Sequence, residues 1–380
     1  MEGKREASLD VVRVFAVFSV IAVHYFLNSG FYDNPVIGER MYLMVTIRQF
    51  FMICVPLFIM ITGYLMSKKE LSRKYYFGIR KTLCIYILAS VVCIIFKNLY
   101  MGEEYGIKES IFGILNFSAA NYSWYIEMYI GLFLLIPFLN LMYNGLKSKI
   151  QKQILICTFL LLTSIPAITN IFNFYIEGWW AQPTICNDYQ KILPNWWEGV
   201  YPITIYFIGA YLKEYGLKIS KKISLVILGI LIILSGVFNC YRSYKRVFFW
   251  GTWTNYNSVI VIVMAMLVFH IIVKTERLNR LPCVGKKILR SLSKGAFGAY
   301  LLSYVFDSIL YPYLKEMVYD FSHMFEYFFV CVPLVFACSM LGSWILNFIY
   351  EFIQEALRIV IRFIDMYTKK KHKKLQSRKL

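Results

Sequence analysis

The stretch from residue 9 to residue 29, LDVVRVFAVFSVIAVHYFLNS, decides the fold class. It has the length of roughly 20 apolar residues that a helix needs to cross the hydrocarbon core of a bilayer. Similar apolar stretches recur along the chain, at 42–67, 82–100, 123–143, 152–170, 200–213, 223–240, 256–273, 296–315 and 327–349. The sequence therefore predicts an all-α, polytopic membrane helix bundle with about ten transmembrane helices.

The composition excludes a water-soluble protein of this size. Of the 380 residues, 59% are hydrophobic and 17% are charged, whereas roughly 25% are charged in typical soluble proteins. The apolar stretches leave no room for a separate soluble domain, so we expect residues 1–380 to form a single transmembrane domain. Nine cysteines are scattered along the chain without the Cys and His spacing of a metal site, so we expect no bound metal.

The positive charge is distributed as in a multi-pass membrane protein. The net charge is +19, and 31 of the 41 Lys and Arg residues fall on one side of the predicted spans, nine on the other and one, Arg13, inside the first span. Positive clusters mark cytoplasmic loops and attract anionic lipids. The pattern predicts cytoplasmic termini and a basic cytoplasmic tail at 368–380. It also indicates that these charges meet a lipid bilayer and not a nucleic acid. The many Ile, Lys, Tyr and Phe residues are typical of AT-rich bacteria, so we expect a bacterial cytoplasmic membrane.

Three ionisable residues lie inside the first apolar stretch: Asp10, Arg13 and His24. Such residues are costly in a membrane and usually functional. At about 100° per residue, all three face one side of a helix, with Arg13 and His24 about 16 Å apart along its axis. Asp10 and Arg13 can pair near the cytoplasmic boundary. His24 lies in the outer half, where it can act as a general base toward a hydroxyl. The alternative for His24 is a hydrogen-bonded packing residue.

Three further ionisable residues lie inside predicted spans. Glu127 is a candidate catalytic residue that can orient His24 or neutralise Arg48, and the alternative is a purely structural ion pair. Arg48 can instead bind an anionic group. Asp307 follows Ser303 by one helical turn and faces the same side of its helix.

The longest predicted outer loop, 171–199, is rich in tryptophan and contains two prolines: Trp179, Trp180, Pro183, Pro194, Trp196 and Trp197. Tryptophans of this kind form an aromatic belt at the membrane interface. The alternative is a surface on which sugar rings stack near a functional site.

Five sequence blocks resemble one family in their order along the chain. RVFAVFSVIAVH (13–24) has an Arg and a His separated by ten residues, which is similar to the opening motif of the acyltransferase-3 family of membrane acyltransferases. VPLFIMITGYLM (55–66) and SWYIEMYIGLFLLIPFLN (123–140) resemble the second-span and fourth-span motifs of that family. YFIGAYLK (206–213) and SKGAFGAYLLSYVF (293–306) match later blocks. The resemblance covers essentially the whole chain.

The resemblance implies an O-acyltransferase. The donor would be cytoplasmic acyl-CoA, with acetyl the usual acyl group and succinyl an alternative, and the acceptor a hydroxyl of a cell-surface or lipid-linked glycan. Arg13, together with Arg73 or Arg80, would then bind the anionic nucleotide end of the donor. His24 would activate the acceptor hydroxyl or carry the acyl group itself. The alternative for Arg73 and Arg80 is ordinary cytoplasmic positive charge.

The sequence departs from the family pattern at two points. Many members have a histidine in the ninth-span block where this chain has Ser303, so His24 must carry the base chemistry alone or with an acid elsewhere. Many members are also fused to a periplasmic hydrolase-like domain that completes the transfer. The 380 residues have no room for such a domain, so we expect a stand-alone enzyme or a separate extracellular acyl-transfer partner.

Two other classes of function fit a bundle of this kind. A transporter or exporter of a glycan or lipid-linked sugar would also have buried charges, but no internal repeat is visible in the sequence. A membrane module that only binds a partner would leave the alignment of Arg13 and His24 unexplained.

The predicted topology can be tested with a reporter enzyme that is active only outside the cytoplasm. We expect activity when the reporter is inserted beside Trp196 and none when it follows Leu380, because the Lys and Arg asymmetry places the tail inside. Reporter activity after Leu380 would contradict the predicted orientation.

Overall fold

The computed structural model describes residues 6–176 and 189–376, and for residue 279 and residues 363–376 it describes the backbone only. Within these residues the chain is all-helical, without a β-strand. The helices are α1 Ala7–Asn28, α2 Glu39–Phe51, α3 Cys54–Met66, α4 Arg73–Tyr76, α5 Arg80–Phe96, α6 Ile107–Leu115, α7 Trp124–Gly145, α8 Lys149–Thr163, α9 Pro166–Thr169, α10 Tyr201–Glu214, α11 Lys221–Ser243, α12 Val259–Val273, α13 Cys283–Met317 and α14 Met324–Gln376.

The predicted membrane bundle is confirmed in its helical character. In the described part of the chain, seven segments are long and apolar enough to cross a bilayer: Ala7–Asn28, Glu39–Met66, Arg73–Met101, Trp124–Gly145, Lys221–Ser243, Thr252–Val273 and Phe321–Arg362. The other three predicted spans coincide with α8, α10 and α13. The first two are only 15 and 14 residues long, and α13 carries more polar residues. The total of about ten and the cytoplasmic location of the termini stay predictions.

The second predicted span is broken into two helices. α2 ends at Phe51 and α3 begins at Cys54, with Met52 and Ile53 forming the turn between them. Pro56 lies in the first turn of α3, where its missing N–H costs no helical hydrogen bond. The break places the start of α3 well inside the bundle, where Cys54 and Val55 are buried.

α1 is the central helix of the bundle. Its residues Val12, Ala16, Val17, Ile21 and Ala22 have no exposed surface, and it packs on α2, α3, α12, α13 and α14. A helix that is apolar all round is expected to be enclosed by other helices. The stripe of ionisable residues on α1 therefore faces protein and not lipid.

The closest helix packing joins α3 to α10. A Cβ atom on Gly63 would lie 2.1 Å from the carbonyl oxygen of Tyr206, and one on Gly209 would lie 2.2 Å from the carbonyl oxygen of Met60. Small residues at a helix interface allow two backbones to approach in this way, as is common in membrane bundles. The pair of glycines fixes the separation of α3 and α10.

The last helix is much longer than the predicted span of 327–349. α14 runs from Met324 to Gln376, 53 residues, which is about 80 Å at 1.5 Å per residue. Hydrophobicity marks only the part that crosses the membrane. Residues 350–376 contain neither Gly nor Pro, so nothing in the chain ends the helix at the membrane boundary.

The packing of α3 on α10 gives a stability prediction. Gly63→Ala and Gly209→Ala should each lower the free energy of unfolding by about 1–3 kcal/mol, because the added methyl group forces the two backbones apart. The thermal unfolding midpoint in detergent measures this loss. Gly229→Ala in α11 is the matched control, since a Cβ there meets nothing within 4 Å. Equal midpoints for all three variants would contradict the account.

Candidate active site

One cavity contains both functional candidates of α1. It has a volume of about 270 Å³, and Arg13 and His24 both line it. Since α1 is a continuous helix, these two residues stand about 16 Å apart along its axis. Aromatic and aliphatic side chains from α3, α7 and α13 form most of the wall, among them Phe58, Tyr125 and Tyr300. The cavity thus has a cation at one end, an imidazole at the other and apolar walls between them.

Arg13 is held at its end of the cavity by two polar contacts. Its Nη1 lies 3.5 Å from Oδ1 of Asp10, one helical turn earlier, and 3.5 Å from Oγ of Ser293 on α13. Asp10 is buried, whereas the side chain of Arg13 is 31% exposed. Asp10 therefore orients the guanidinium, which remains accessible from the cavity. The predicted pairing of Asp10 with Arg13 is confirmed.

The imidazole of His24 faces an acid that the sequence did not connect with it. Its Nδ1 lies 3.6 Å from Oδ2 of Asp307 on α13 and 3.5 Å from Oγ of Ser303, one turn before Asp307. The 3.6 Å separation is longer than a hydrogen bond, and catalytic contacts of this kind tighten when substrate binds. Because Nδ1 faces the carboxylate, Nε2 is the nitrogen left to accept a proton from a substrate.

Tyr122 completes the polar cluster around His24. Its ring lies against the imidazole with 3.6 Å between ring centroids, and its hydroxyl donates to Oδ2 of Asp307 at 3.0 Å. Asn28 donates to the Tyr122 hydroxyl at 2.9 Å and to the His24 carbonyl at 2.8 Å. In the described part of the chain, Oδ1 of Asp307 has no hydrogen-bond partner. These contacts hold the carboxylate and the imidazole in fixed positions inside the bundle.

Hydrogen bonds in the turn before α7 fix the position of Tyr122. It lies in the turn just before α7, where Ser123 donates to the carbonyls of Phe117 and Ala120 at 2.5 and 2.6 Å. The hydroxyl of Tyr300 donates to the Tyr122 carbonyl from α13. The turn is therefore tied to the same helix that carries Asp307.

One face of α13 supplies three residues of the site. Tyr300, Ser303 and Asp307 follow one another at steps of three and four residues, the spacing of a single helical face. Ser303 occupies the position at which many members of the resembled family have a histidine, and here its hydroxyl also donates to the Tyr300 carbonyl at 2.8 Å. The spacing was the sequence signal that could have assigned Asp307 to the site.

The expected roles of Glu127 are wrong. Its side chain is exposed on α7 and forms no ion pair with any residue that the structure describes, so it neither orients His24 nor neutralises Arg48. The first turn of α7 directs Tyr125 and Ile126 into the bundle and Glu127 away from it. Asp307 is the acid that meets His24.

Arg48 is fully buried away from Glu127. Its Nε donates to the Tyr32 hydroxyl at 3.0 Å and its Nη1 to Oε1 of Gln49 at 3.2 Å. The guanidinium carbon lies 4.9 Å from the ring centroid of Phe248 and 4.6 Å from that of Trp250. Cation–π contacts of this kind stabilise a desolvated arginine. The structure therefore explains the burial of Arg48 without an acid, although its Nη2 has no partner among the described residues.

Arg73 and Arg80 lie outside the cavity wall. Both side chains are exposed, and Nε of Arg80 donates to the Phe77 carbonyl at 3.3 Å. Thr82, two residues after Arg80, does line the cavity. The start of α5 thus borders the cavity, and the two arginines stand near it in the chain without forming its surface.

The tryptophans of the predicted outer loop are only partly described. Trp179 and Trp180 lie outside the described residues, as does Pro183. Trp196 and Trp197 are 89% and 56% exposed. Exposed rings suit both the aromatic belt and a stacking surface for sugars.

The family of the chain follows from the comparison with known proteins. The acyltransferase-3 family, described as an acyltransferase domain, matches residues 6–347, nearly the whole chain. No curated protein and no solved structure gives a significant match. The matched region contains every residue that lines the cavity, including Arg13 and His24, and it also contains Asp307. The chain belongs to the acyltransferase-3 family and is a multi-pass membrane acyltransferase.

Proposed function

We propose that this protein is an O-acyltransferase that moves an acyl group, acetyl in the first instance, from cytoplasmic acyl-CoA to a hydroxyl of a cell-surface or lipid-linked glycan. The observation that carries the proposal is a single cavity lined by both Arg13 and His24. A cation is suited to an anionic donor and an imidazole to a hydroxyl acceptor. The family match supports an acyltransferase and lends no support to the transporter alternative.

The donor is expected to bind from the Arg13 end. Its phosphates would meet the guanidinium of Arg13, with Arg73 or Arg80 outside the cavity contacting the nucleotide end. The long pantetheine arm would then run along the apolar wall past Phe58 and Tyr125. Its thioester would reach His24, about 16 Å further along α1.

The chemical step uses Nε2 of His24 as the general base. As Nε2 takes the proton of the acceptor hydroxyl, the hydroxyl oxygen attacks the thioester carbonyl carbon. The resulting tetrahedral intermediate breaks its C–S bond, and the leaving thiolate takes the proton from Nε2, which yields an ester and free CoA. In the alternative route, Nε2 first attacks the thioester carbonyl carbon and the C–S bond breaks to release the CoA thiolate. The acceptor hydroxyl then attacks the acyl-imidazole, which frees Nε2, and its proton goes to the thiolate.

Asp307 and Tyr122 are positioning residues in this mechanism. A carboxylate beside Nδ1 fixes the imidazole in the tautomer that leaves Nε2 free, and stabilises the imidazolium that forms during proton transfer. Tyr122 holds that carboxylate through its hydroxyl at 3.0 Å. No metal has a part in the proposal.

The acceptor is expected on the side of the membrane opposite the donor. His24 lies in the outer half of α1, so a glycan hydroxyl outside a bacterial cytoplasmic membrane can approach it without crossing the bilayer. A separate extracellular partner that passes the acyl group on to a more distant acceptor remains compatible with the same site.

Removing the base or its orienting acid tests the proposal. His24→Ala should abolish transfer, and Asp307→Asn should lower the rate by roughly 10²–10⁴ because the wrong tautomer of His24 becomes favoured. The measurement is labelled acyl ester on surface glycan at equal protein levels in the membrane. Glu127→Gln is the matched control, because that acid is exposed and has no ion-pair partner among the residues that the structure describes. Normal transfer by the His24 variant would overturn the assignment.

Removing the cation tests the donor site separately. Arg13→Gln should raise KM for acyl-CoA by about 10- to 100-fold, the loss expected for a hydrogen bond to a charged group. Lys294→Gln is the control, since Lys294 is exposed beside Ser293 and does not line the cavity. An unchanged KM for the Arg13 variant would contradict donor binding at this end.

A further inference from the structure

The final helix extends far beyond the bundle. Trp344 donates to the Ser291 carbonyl on α13 at 3.4 Å, and Ser343 to the Gly295 carbonyl at 2.6 Å, so α14 and α13 run antiparallel. Because α13 begins at Cys283, its contact with α14 ends at about residue 352. The remaining residues of α14, to Gln376, add about 36 Å of helix, and nearly all of residues 351–362, whose side chains the structure describes, are exposed.

The side from which this helix leaves the bundle is the side of the positive loops. Nζ of Lys81 lies 5.4 Å from the ring centroid of Tyr350. Lys81 belongs to the basic cluster after the second predicted span, which marks the cytoplasmic side. The projecting segment, residues 351–376, therefore starts at the level of the inner membrane surface.

In the first part of the projecting segment, residues 351–362, the charged residues form one narrow stripe. The charged residues that the structure describes there are Glu351, Glu355, Arg358 and Arg362, and at 100° per residue they fall within an arc of about 60°. Arg358 and Glu355 form an ion pair of 3.1 Å within this stripe. Over residues 351–362 the charges thus occupy only one side of the helix, whereas the lysines from Lys369 to Lys374 are spread over a much wider arc of about 200°.

The rest of the circumference is apolar and exposed. Large side chains with 39–69% exposure spread over an arc of about 200°: Phe352, Ile353, Leu357, Ile359, Val360 and Ile361. A helix that packs on a soluble core needs an apolar stripe of only about 100°. If the helix stood free in water, an apolar arc of this width would expose a large apolar area to solvent.

We propose that residues 351–362 form an interfacial helix that lies on the anionic inner surface of the membrane, with the basic cluster from Lys369 to Lys374 following it. The apolar arc would be buried at the boundary between headgroups and acyl chains, with Glu355 and Arg358 facing water. In the structure α14 is one continuous helix from Met324 to Gln376, and to reach the membrane surface it would bend near residue 352, where its contact with α13 ends. The bilayer is the surface nearest to the segment, since α14 emerges from it.

The charge at the end of the segment favours a lipid surface over a second copy of the chain. Between Lys369 and Lys374 there are five lysines and one histidine. Two parallel copies would bring these positive clusters together, which is unfavourable. Anionic headgroups attract such a cluster by about 1 kcal/mol for each Lys near the surface.

Two neighbouring residues provide a matched test in the full-length protein. The protein is placed in vesicles of phosphatidylcholine and phosphatidylglycerol with its cytoplasmic face outward, and a charged maleimide labels the introduced thiols. The thiol of Arg358→Cys should react about tenfold faster than the thiol of Leu357→Cys, because the thiol at position 357 is buried in lipid and the thiol at position 358 is not. The parent chain gives the background from native cysteines. Both positions are exposed beyond the bundle, so folding should be unaffected, and protein yield checks this.

Two results would overturn the proposal. Equal labelling rates would show that the helix stands free in water. A disulfide between two Leu357→Cys chains under mild oxidation would show that a second copy covers the arc.

With glutamine in place of the five lysines, labelling of Leu357→Cys should rise several-fold as the electrostatic attraction is lost. An unchanged rate would overturn the role assigned to the basic cluster.

Discussion

An ionisable side chain inside an apolar bundle is costly unless another polar group meets it. In this bundle His24 and Asp307 face each other at 3.6 Å, and most features of the site depend on this contact. Tyr122 and Asn28 supply the hydrogen bonds that the carboxylate and the tyrosine hydroxyl need. The site can then stay buried, with one imidazole nitrogen fixed and the other left for chemistry.

The packing of the bundle places this contact at the end of a cavity. α1 is enclosed by other helices, so its stripe of ionisable residues faces protein. The glycine contacts of α3 with α10 hold α3 at the cavity wall, and the break before Cys54 starts that helix inside the bundle. Arg13 then stands at the opposite end, beside Ser293 of the same helix that carries Asp307. A cation and an imidazole joined by one cavity follow from these constraints.

Some of this arrangement is readable in the sequence because it is local. The spacing of Asp10, Arg13 and His24 is set by one helix, and hydrophobicity gives the apolar segments. The partner of His24 is 283 positions away in the chain, and only the packing of α13 on α1 brings Asp307 to it. Glu127 was misassigned because hydrophobicity does not show how a helix is rotated. α14 continues past the predicted span of 327–349, because apolar length marks membrane thickness and not the end of a helix.

The central claim is that one cavity joins a donor on one side of the membrane to an acceptor on the other. Sealed proteoliposomes with a single protein orientation test it directly, with labelled acetyl-CoA on the side of Arg13 and a hydroxyl-bearing glycan acceptor only on the opposite side. The account predicts labelled ester on the acceptor side and an equal amount of free CoA on the donor side. Ester formation only when both substrates are on the same side would contradict it.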